Sequence, residues 1–182
     1  MAAAEPWQTA EVSGPKKALV VTNPEVVVAM IRKAKRPILI VGHRSAEIEL
    51  EEKRLIDYMI VLAERARIPI VATAHVANEF LKRNCKLTAW MPAVDIGNRL
   101  VDPDWAGVEG KGPHDLAVFV GLPYYMESNI LSGLKHFAPN LKTITLDNTY
   151  HPHAGWSFAN ISAKDWLKNL KVLIEKFGEG GE

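Results

Sequence analysis

Short, wholly apolar runs alternate with longer amphipathic ones along this chain. Arg36-Pro37-Ile38-Leu39-Ile40-Val41-Gly42-His43 sets the pattern: a proline ends a helix, four large apolar residues follow, and a glycine closes the run. A run too short for a helix and apolar on both faces predicts a strand covered on both sides. Ile68-Pro69-Ile70-Val71-Ala72 and Asp115-Leu116-Ala117-Val118-Phe119-Val120-Gly121 predict two more. Leu141 to Leu146 alternates apolar residues with Lys and Thr, which predicts a less completely covered strand. Phe158-Ala159-Asn160-Ile161 reads as a short last strand.

Helical spacing fills the intervals. Asn23-Pro24-Glu25 is a helix start, and Val27, Met30, Ile31 and Ala34 then mark one buried face. A glutamate-rich helical pattern runs from Leu50 to Arg67, a short one from Val76 to Arg83, and another from Pro92 through Leu100. A helix from near Tyr125 to Phe137 carries Ile130, Leu131, Leu134 and Phe137 inward. Ser162 and Asp165 resemble a capping box opening a final helix, whose Trp166, Leu167, Leu170, Leu173, Ile174 and Phe177 share a face. Alternating strands and helices with apolar strands predict an α/β fold: a Rossmann-like three-layer α/β/α domain with a mainly parallel sheet and right-handed crossovers.

Residues 1–15, broken by Pro6, Gly14 and Pro15, read as an N-terminal arm, 16–178 as a single α/β domain and 179–182 as a tail. Trp7 in the arm predicts docking onto this chain or a partner, because a solvated tail gains nothing from tryptophan. With 22 basic and 21 acidic residues the charge is balanced, which argues against nucleic acid as a partner. Cys85 is the single cysteine, too few for an internal disulfide, a zinc site or an iron–sulfur cluster. No basic leader and no apolar run of about 20 residues is present, so a cytoplasmic protein with no membrane span is expected.

Ligands of doubly wound sheets bind beyond the carboxyl ends of the strands, so the turns there are the candidate chemistry. Gly42-His43-Arg44-Ser45 is open to two readings: a turn that only closes the strand, or a loop cradling a phosphate with its backbone N–H groups and Arg44. Only the first glycine of the dinucleotide fingerprint is present, and Glu47, Glu49, Glu51 and Glu52 crowd the expected helix start, where they would repel a phosphate. Asp147 is either an acceptor for a ribose hydroxyl or a loop aspartate bonding its own backbone. His151 and His153 read as exposed loop histidines, since no spacing ties a third metal ligand to them. Tyr124, Tyr125, Trp90, Trp105 and Trp156 offer either a stacking surface or anchors for a core edge or protein interface. The long glycine-rich segment from Asn84 to Pro113, which holds Trp90 and Trp105, reads as functional or interfacial. No catalytic constellation is visible.

Several stretches in order carry a family resemblance. They are Lys33-Ala34-Lys35-Arg36-Pro37-Ile38-Leu39-Ile40-Val41-Gly42, Arg67-Ile68-Pro69-Ile70-Val71-Ala72-Thr73, Val101-Asp102-Pro103-Asp104-Trp105-Ala106-Gly107, Asp115 to Gly121, the Tyr124-Tyr125 pair and Asn160-Ile161-Ser162. From about residue 16 onward the chain resembles the epsilon subunit of the archaeal acetyl-CoA decarbonylase/synthase complex. The Asp-Pro-Asp-Trp stretch is the most specific part of the match.

The resemblance implies a non-catalytic subunit paired with the large alpha subunit in an alpha2-epsilon2 carbon monoxide dehydrogenase, with the nickel and iron–sulfur centres held by alpha. It implies a role in stabilising the complex or in helping electrons pass to FAD. It also implies a fold similar to the central FAD/NAD-binding-like domain of thiamine-diphosphate enzymes. The motif-matched candidates for a FAD or nucleotide site are Gly42, His43, Arg44, Thr73, Gly121, Leu122 and Asp147, with Trp90 and Trp105 as interface candidates. No metal ligand is carried over. A stand-alone flavin- or nucleotide-binding protein, an independent small-molecule enzyme and self-association are the alternatives.

Overall fold

The computed structural model describes residues 16–179. The arm with Trp7, and the tail from residue 180, lie outside the described residues. The strands are β1 Leu19–Val20, β2 Pro37–Val41, β3 Glu49–Leu50, β4 Lys53–Arg54, β5 Ile70–Ala72, β6 Ala89–Trp90, β7 Leu116–Val120, β8 Lys142–Thr145 and β9 Trp156–Ser157. The helices are α1 Glu25–Lys33, α2 Leu55–Ala66, α3 Ala77–Lys82, α4 Ala93–Val101, α5 Tyr124–Phe137 and α6 Ala163–Gly178.

Seven strands form one parallel sheet in the order β1-β9-β8-β7-β2-β5-β6. The opening apolar run lies inside it: Pro37 to Val41 pairs with Leu116 to Val120 on one side, and Leu39 to Val41 with Ile70 to Ala72 on the other. Side chains alternate across it. Leu39 and Val41 enter a core built with α1, α2, α3 and α6, whereas Ile38 and Ile40 enter a second core built with α4 and α5. The expected three-layer α/β architecture is what the chain adopts.

The chain leaves β2 toward β5 and β6, and leaves β7 toward β8 and β9. Neighbouring strands whose continuations diverge mark the switch point where ligands bind in such sheets. Here that point lies between Gly42 and Gly121.

Local chemistry explains where the helices begin. The Asn23 side chain accepts the Glu25 N–H at 3.0 Å, and Ser162 Oγ accepts the Asp165 N–H at 3.1 Å. All six apolar residues assigned to the inner face of α6 are buried.

Four expectations are corrected. The helical pattern from Leu50 begins only at Leu55. Between it and β2 stand a 3₁₀ turn, His43–Ala46, and the antiparallel hairpin β3–β4. Asp57 fixes that start by accepting the Arg54 N–H at 2.9 Å. Glu51 and Glu52 therefore sit in the hairpin turn, not at a helix N-terminus. The last strand is Trp156–Ser157 and not Phe158–Ile161, because Gly155 N–H to Thr143 Oγ1 at 2.9 Å sets the register two residues earlier. Phe137 points outward and is 69% exposed, while Leu134, three residues before it, fills the core.

A buried carboxylate–imidazole cluster beneath the switch point

Gly42 and Gly121 touch. A Cβ on Gly42 would lie 2.2 Å from the Gly121 carbonyl oxygen, so only glycine fits there. Gly121 has φ +72°, a conformation that favours glycine, and its own Cβ would meet the backbone of Ser45 at 2.9 Å. The amide of Arg44 donates to Gly121 O at 3.0 Å and that of Ser45 to Gly42 O at 3.1 Å. The turn's N–H groups at these two residues are thus spent within the protein.

What remains is a recess of about 60 Å³, lined by Arg44, Gly121, Leu122, Tyr124, Asp147 and His151 among others. Of the seven candidate ligand residues, Arg44, Gly121, Leu122 and Asp147 line it. Gly42 closes against its Gly121 wall. His43 and Thr73 lie on the β5 side: the Thr73 amide donates to Val41 O at 2.9 Å, and the His43 ring meets His75 edge-on with centroids 6.1 Å apart. Pockets for cofactors usually measure about 300–1,000 Å³. In this arrangement the residues do not fit a flavin dinucleotide.

Behind the recess lies a group that the strand-end turns alone do not reveal. Glu127 on α5, Asp147 after β8 and His151 in the following loop are all buried, with donor atoms within 4.8 Å of one another. Asp147 Oδ1 accepts the Gly121 N–H at 2.9 Å, so this aspartate ties β8 to the β7 turn, not to its own backbone. His151 Nε2 stands 3.8 Å from Glu127 Oε1, and the Tyr124 ring stacks on the imidazole with centroids 4.5 Å apart. The Glu127 side chain is wholly buried beside Thr145 and Asp147, and among the described residues neither of its carboxyl oxygens has a partner at full hydrogen-bond geometry.

The electrostatics follow from that burial. Removal from water drives the Glu127 carboxyl well above the usual range, and the Asp147 charge pushes it further. Asp147 is also raised by burial, but the neighbouring Glu127, the Gly121 N–H and the Arg44 charge hold it down. Burial, with His153 adding to it, pushes the His151 imidazole down to about 4. The expectation of two exposed histidines is corrected. His151 is buried because Pro152 O accepts the Ala18 N–H at 3.0 Å and Ser157 Oγ accepts the His151 N–H at 3.0 Å, which pins the loop over the sheet. His153 is partly buried.

One sequence signal does mark Glu127. With Ile130, Leu131 and Leu134 it stands at i, i+3, i+4 and i+7, the inward stripe of α5. The aromatic candidates, by contrast, do not share a surface. Tyr124 covers His151, Trp105 packs against His114 with centroids 5.4 Å apart, Trp156 lies in β9, and Trp90 is 65% exposed on the edge strand β6.

A family model described as "CO dehydrogenase beta subunit/acetyl-CoA synthase epsilon subunit" matches residues 1–174. The chain belongs to that family. Proteins named acetyl-CoA decarbonylase/synthase complex subunit epsilon are similar over most of their length. The one from Methanothermobacter thermautotrophicus is 37% identical over 168 residues, 92% of this chain and 93% of its own. That from Methanothrix soehngenii is 35% identical over 158 residues, 86% of this chain and 81% of its own. Epsilon subunit 1 of Archaeoglobus fulgidus is 37% identical over 142 residues, 77% and 73% of the two chains. Epsilon-family membership agrees with the sequence resemblance, and among the described residues no helix is long and apolar enough to cross a membrane.

Proposed function

We propose that this chain is the accessory, non-catalytic epsilon subunit of the carbon monoxide dehydrogenase component of an acetyl-CoA decarbonylase/synthase complex. Its task in this reading is to stabilise the assembly with the large alpha subunit. The supporting observation is apolar surface that no described residue covers, on a member of a family of complex subunits. A groove of about 540 Å³ between α4 and α5 is lined by Val94, Gly97, Tyr125, Ile130, Gly133 and Phe137, among others. Tyr125 is 66% exposed. Trp90 stands four residues before Val94. Exposed aromatic groups of this kind supply most of the binding energy at protein interfaces.

Trp90→Ala and Phe137→Ala remove exposed side chains and leave both cores intact. Each is expected to weaken binding of the large subunit about 10-fold or more, which corresponds to roughly 1.4 kcal/mol. Trp105 is less suited to this test because it packs on the α4–α5 core. Unchanged affinity in both variants would refute docking through this face.

Assistance of electron transfer to FAD is a second reading, as is a stand-alone flavin- or nucleotide-binding role. The observation on their side is that Arg44, Gly121, Leu122 and Asp147 gather at the switch point of the sheet. Either reading requires the recess to open severalfold. Titration with FAD, followed by flavin fluorescence, of the chain alone and within the complex tests both; no binding in either state rejects them.

A further inference from the structure

The α5–β8 side of the sheet buries two carboxyl groups and an imidazole in mutual contact range, and the subunit role makes no use of them. We infer that Glu127, Asp147 and His151 form a binding site for a divalent cation of the zinc or manganese class.

Ligand geometry comes first. Bonds of about 2.0–2.2 Å place neighbouring ligand atoms roughly 3–3.5 Å apart around such an ion. Glu127 Oε1 and His151 Nε2 are 3.8 Å apart, and all three donor atoms lie within 4.8 Å of one another, so a small inward closure makes three bonds. Two oxygens with one imidazole nitrogen suit zinc or manganese better than calcium or magnesium, which take oxygen sets.

Unmet bonding capacity points the same way. Thr145 and Asp147 are the polar neighbours of the wholly buried Glu127, and among the described residues neither of its oxygens has a partner at full hydrogen-bond geometry. Asp147 Oδ1 accepts the Gly121 N–H, which fixes this carboxylate beside the other two donors. A single shared proton could bridge Glu127 and Asp147, but it would leave the other Glu127 oxygen unsatisfied and would not engage His151. A cation engages all three residues, and its double charge balances the two carboxylates.

Access and rigidity complete the site. The recess of about 60 Å³ reaches Asp147 and His151, with Tyr124 on its wall, and has room for an ion with a water or two. Tyr124 stacks on the imidazole and fixes its plane.

The test uses the full untagged chain, stripped with a chelator and titrated calorimetrically with ZnCl₂ and with MnCl₂. One equivalent is expected to bind, with a rise in Tm of about 5–10 °C when the free ion is near 100 times Kd. Glu127→Gln and Asp147→Asn keep shape and the Gly121 acceptor but lose charge, and each is expected to weaken binding at least ~10-fold. If either variant fails to fold, pulsed EPR of Mn²⁺ on the wild type gives the answer, with coupling to one imidazole nitrogen expected. Absence of binding by both ions, unchanged binding in Glu127→Gln, or loss of binding in a His43→Ala control at the separate His43–His75 pair would overturn the assignment. So would an EPR spectrum with no nitrogen, or with two imidazoles.

Discussion

Replacing Gly42 with alanine probes the contact that closes the switch point. Gly42 has φ −85° and ψ 167°, ordinary extended backbone, so alanine suffers no conformational strain there. By restricting the unfolded chain it would on its own stabilise the protein by about 0.4–1 kcal/mol. The new methyl, however, would stand 2.2 Å from Gly121 O and 2.5 Å from both Gly121 C and Leu122 N. Those atoms are backbone and cannot rotate away. Two hydrogen bonds cross the same gap, Gly42 N–H to Val120 O at 2.8 Å and Arg44 N–H to Gly121 O at 3.0 Å.

Forcing β2 and β7 apart costs about 1–3 kcal/mol in overpacking. Weakening the two bonds costs about 0.5–1.5 kcal/mol each. The net expectation is a loss near 3 kcal/mol, or a fall in Tm of about 6–12 °C for a chain of this size. Urea unfolding with an unchanged slope gives the measurement. Gly110→Ala is the comparison: φ is +69°, yet no described residue lies within 4 Å of its Cβ, so the cost is confined to about 1–2 kcal/mol of left-handed strain. A Gly42→Ala protein within 0.5 kcal/mol of wild type, roughly the scatter of surface substitutions, would refute the close contact. So would one more stable than Gly110→Ala.

Three further outcomes are expected. Ile40→Ala, at a fully buried position on the inner strand β2, should cost about 2–5 kcal/mol by urea unfolding, and a loss well under 1 kcal/mol would contradict its place in the core. Asp115→Ala strips acceptors from the Lys35 and Arg36 N–H groups at 2.8 and 2.7 Å, and a loss of about 1–3 kcal/mol is expected from the same assay. His114 bonds Arg36 O through Nδ1 and accepts the Val108 N–H through Nε2, so its neutral form holds the glycine-rich loop. Burial lowers its pKa although the Arg36 carbonyl and nearby Glu109 oppose it. The unfolded chain therefore binds the proton first, and this contribution is complete above about pH 6.5 and lost as the pH falls below it. The wild-type urea midpoint should drop relative to that of His114→Phe over that interval, and parallel midpoints would refute the assignment.

Much of the framework is legible from residue pattern because burial on both faces leaves a plain mark. The runs at Ile38, Ile70 and Leu116 are strands, and the stripe from Trp166 to Phe177 is a helix with one inner face. Two-residue strands such as Leu19–Val20 and Ala89–Trp90 are too short to show a period, and tertiary pairing alone makes them. The hairpin before α2 escapes notice because Leu50 fits both the helical stripe and the strand. At the candidate site, the turns after β2, β7 and β8 are predictable from their glycines and Asp147, whereas the carboxylate beneath them is not obvious from composition. A glutamate inside an amphipathic helix is ordinarily solvated. Only its register with Ile130, Leu131 and Leu134 gives Glu127 away, and the burial of His151 depends on a loop pinned by bonds to Ala18 and Ser157.

The two rims of the sheet bear on how this molecule meets others. Among the described residues, β1 and β6 end the sheet, and each offers two residues of ladder. A foreign strand laid along either rim would gain too few main-chain bonds to hold it, which also guards against edge-to-edge aggregation. Recognition by strand addition is thereby disfavoured, and side-chain surfaces must do the work. An assembly of that kind can be dissected one side chain at a time, because its affinity lies in individual contacts and not in a shared backbone ladder.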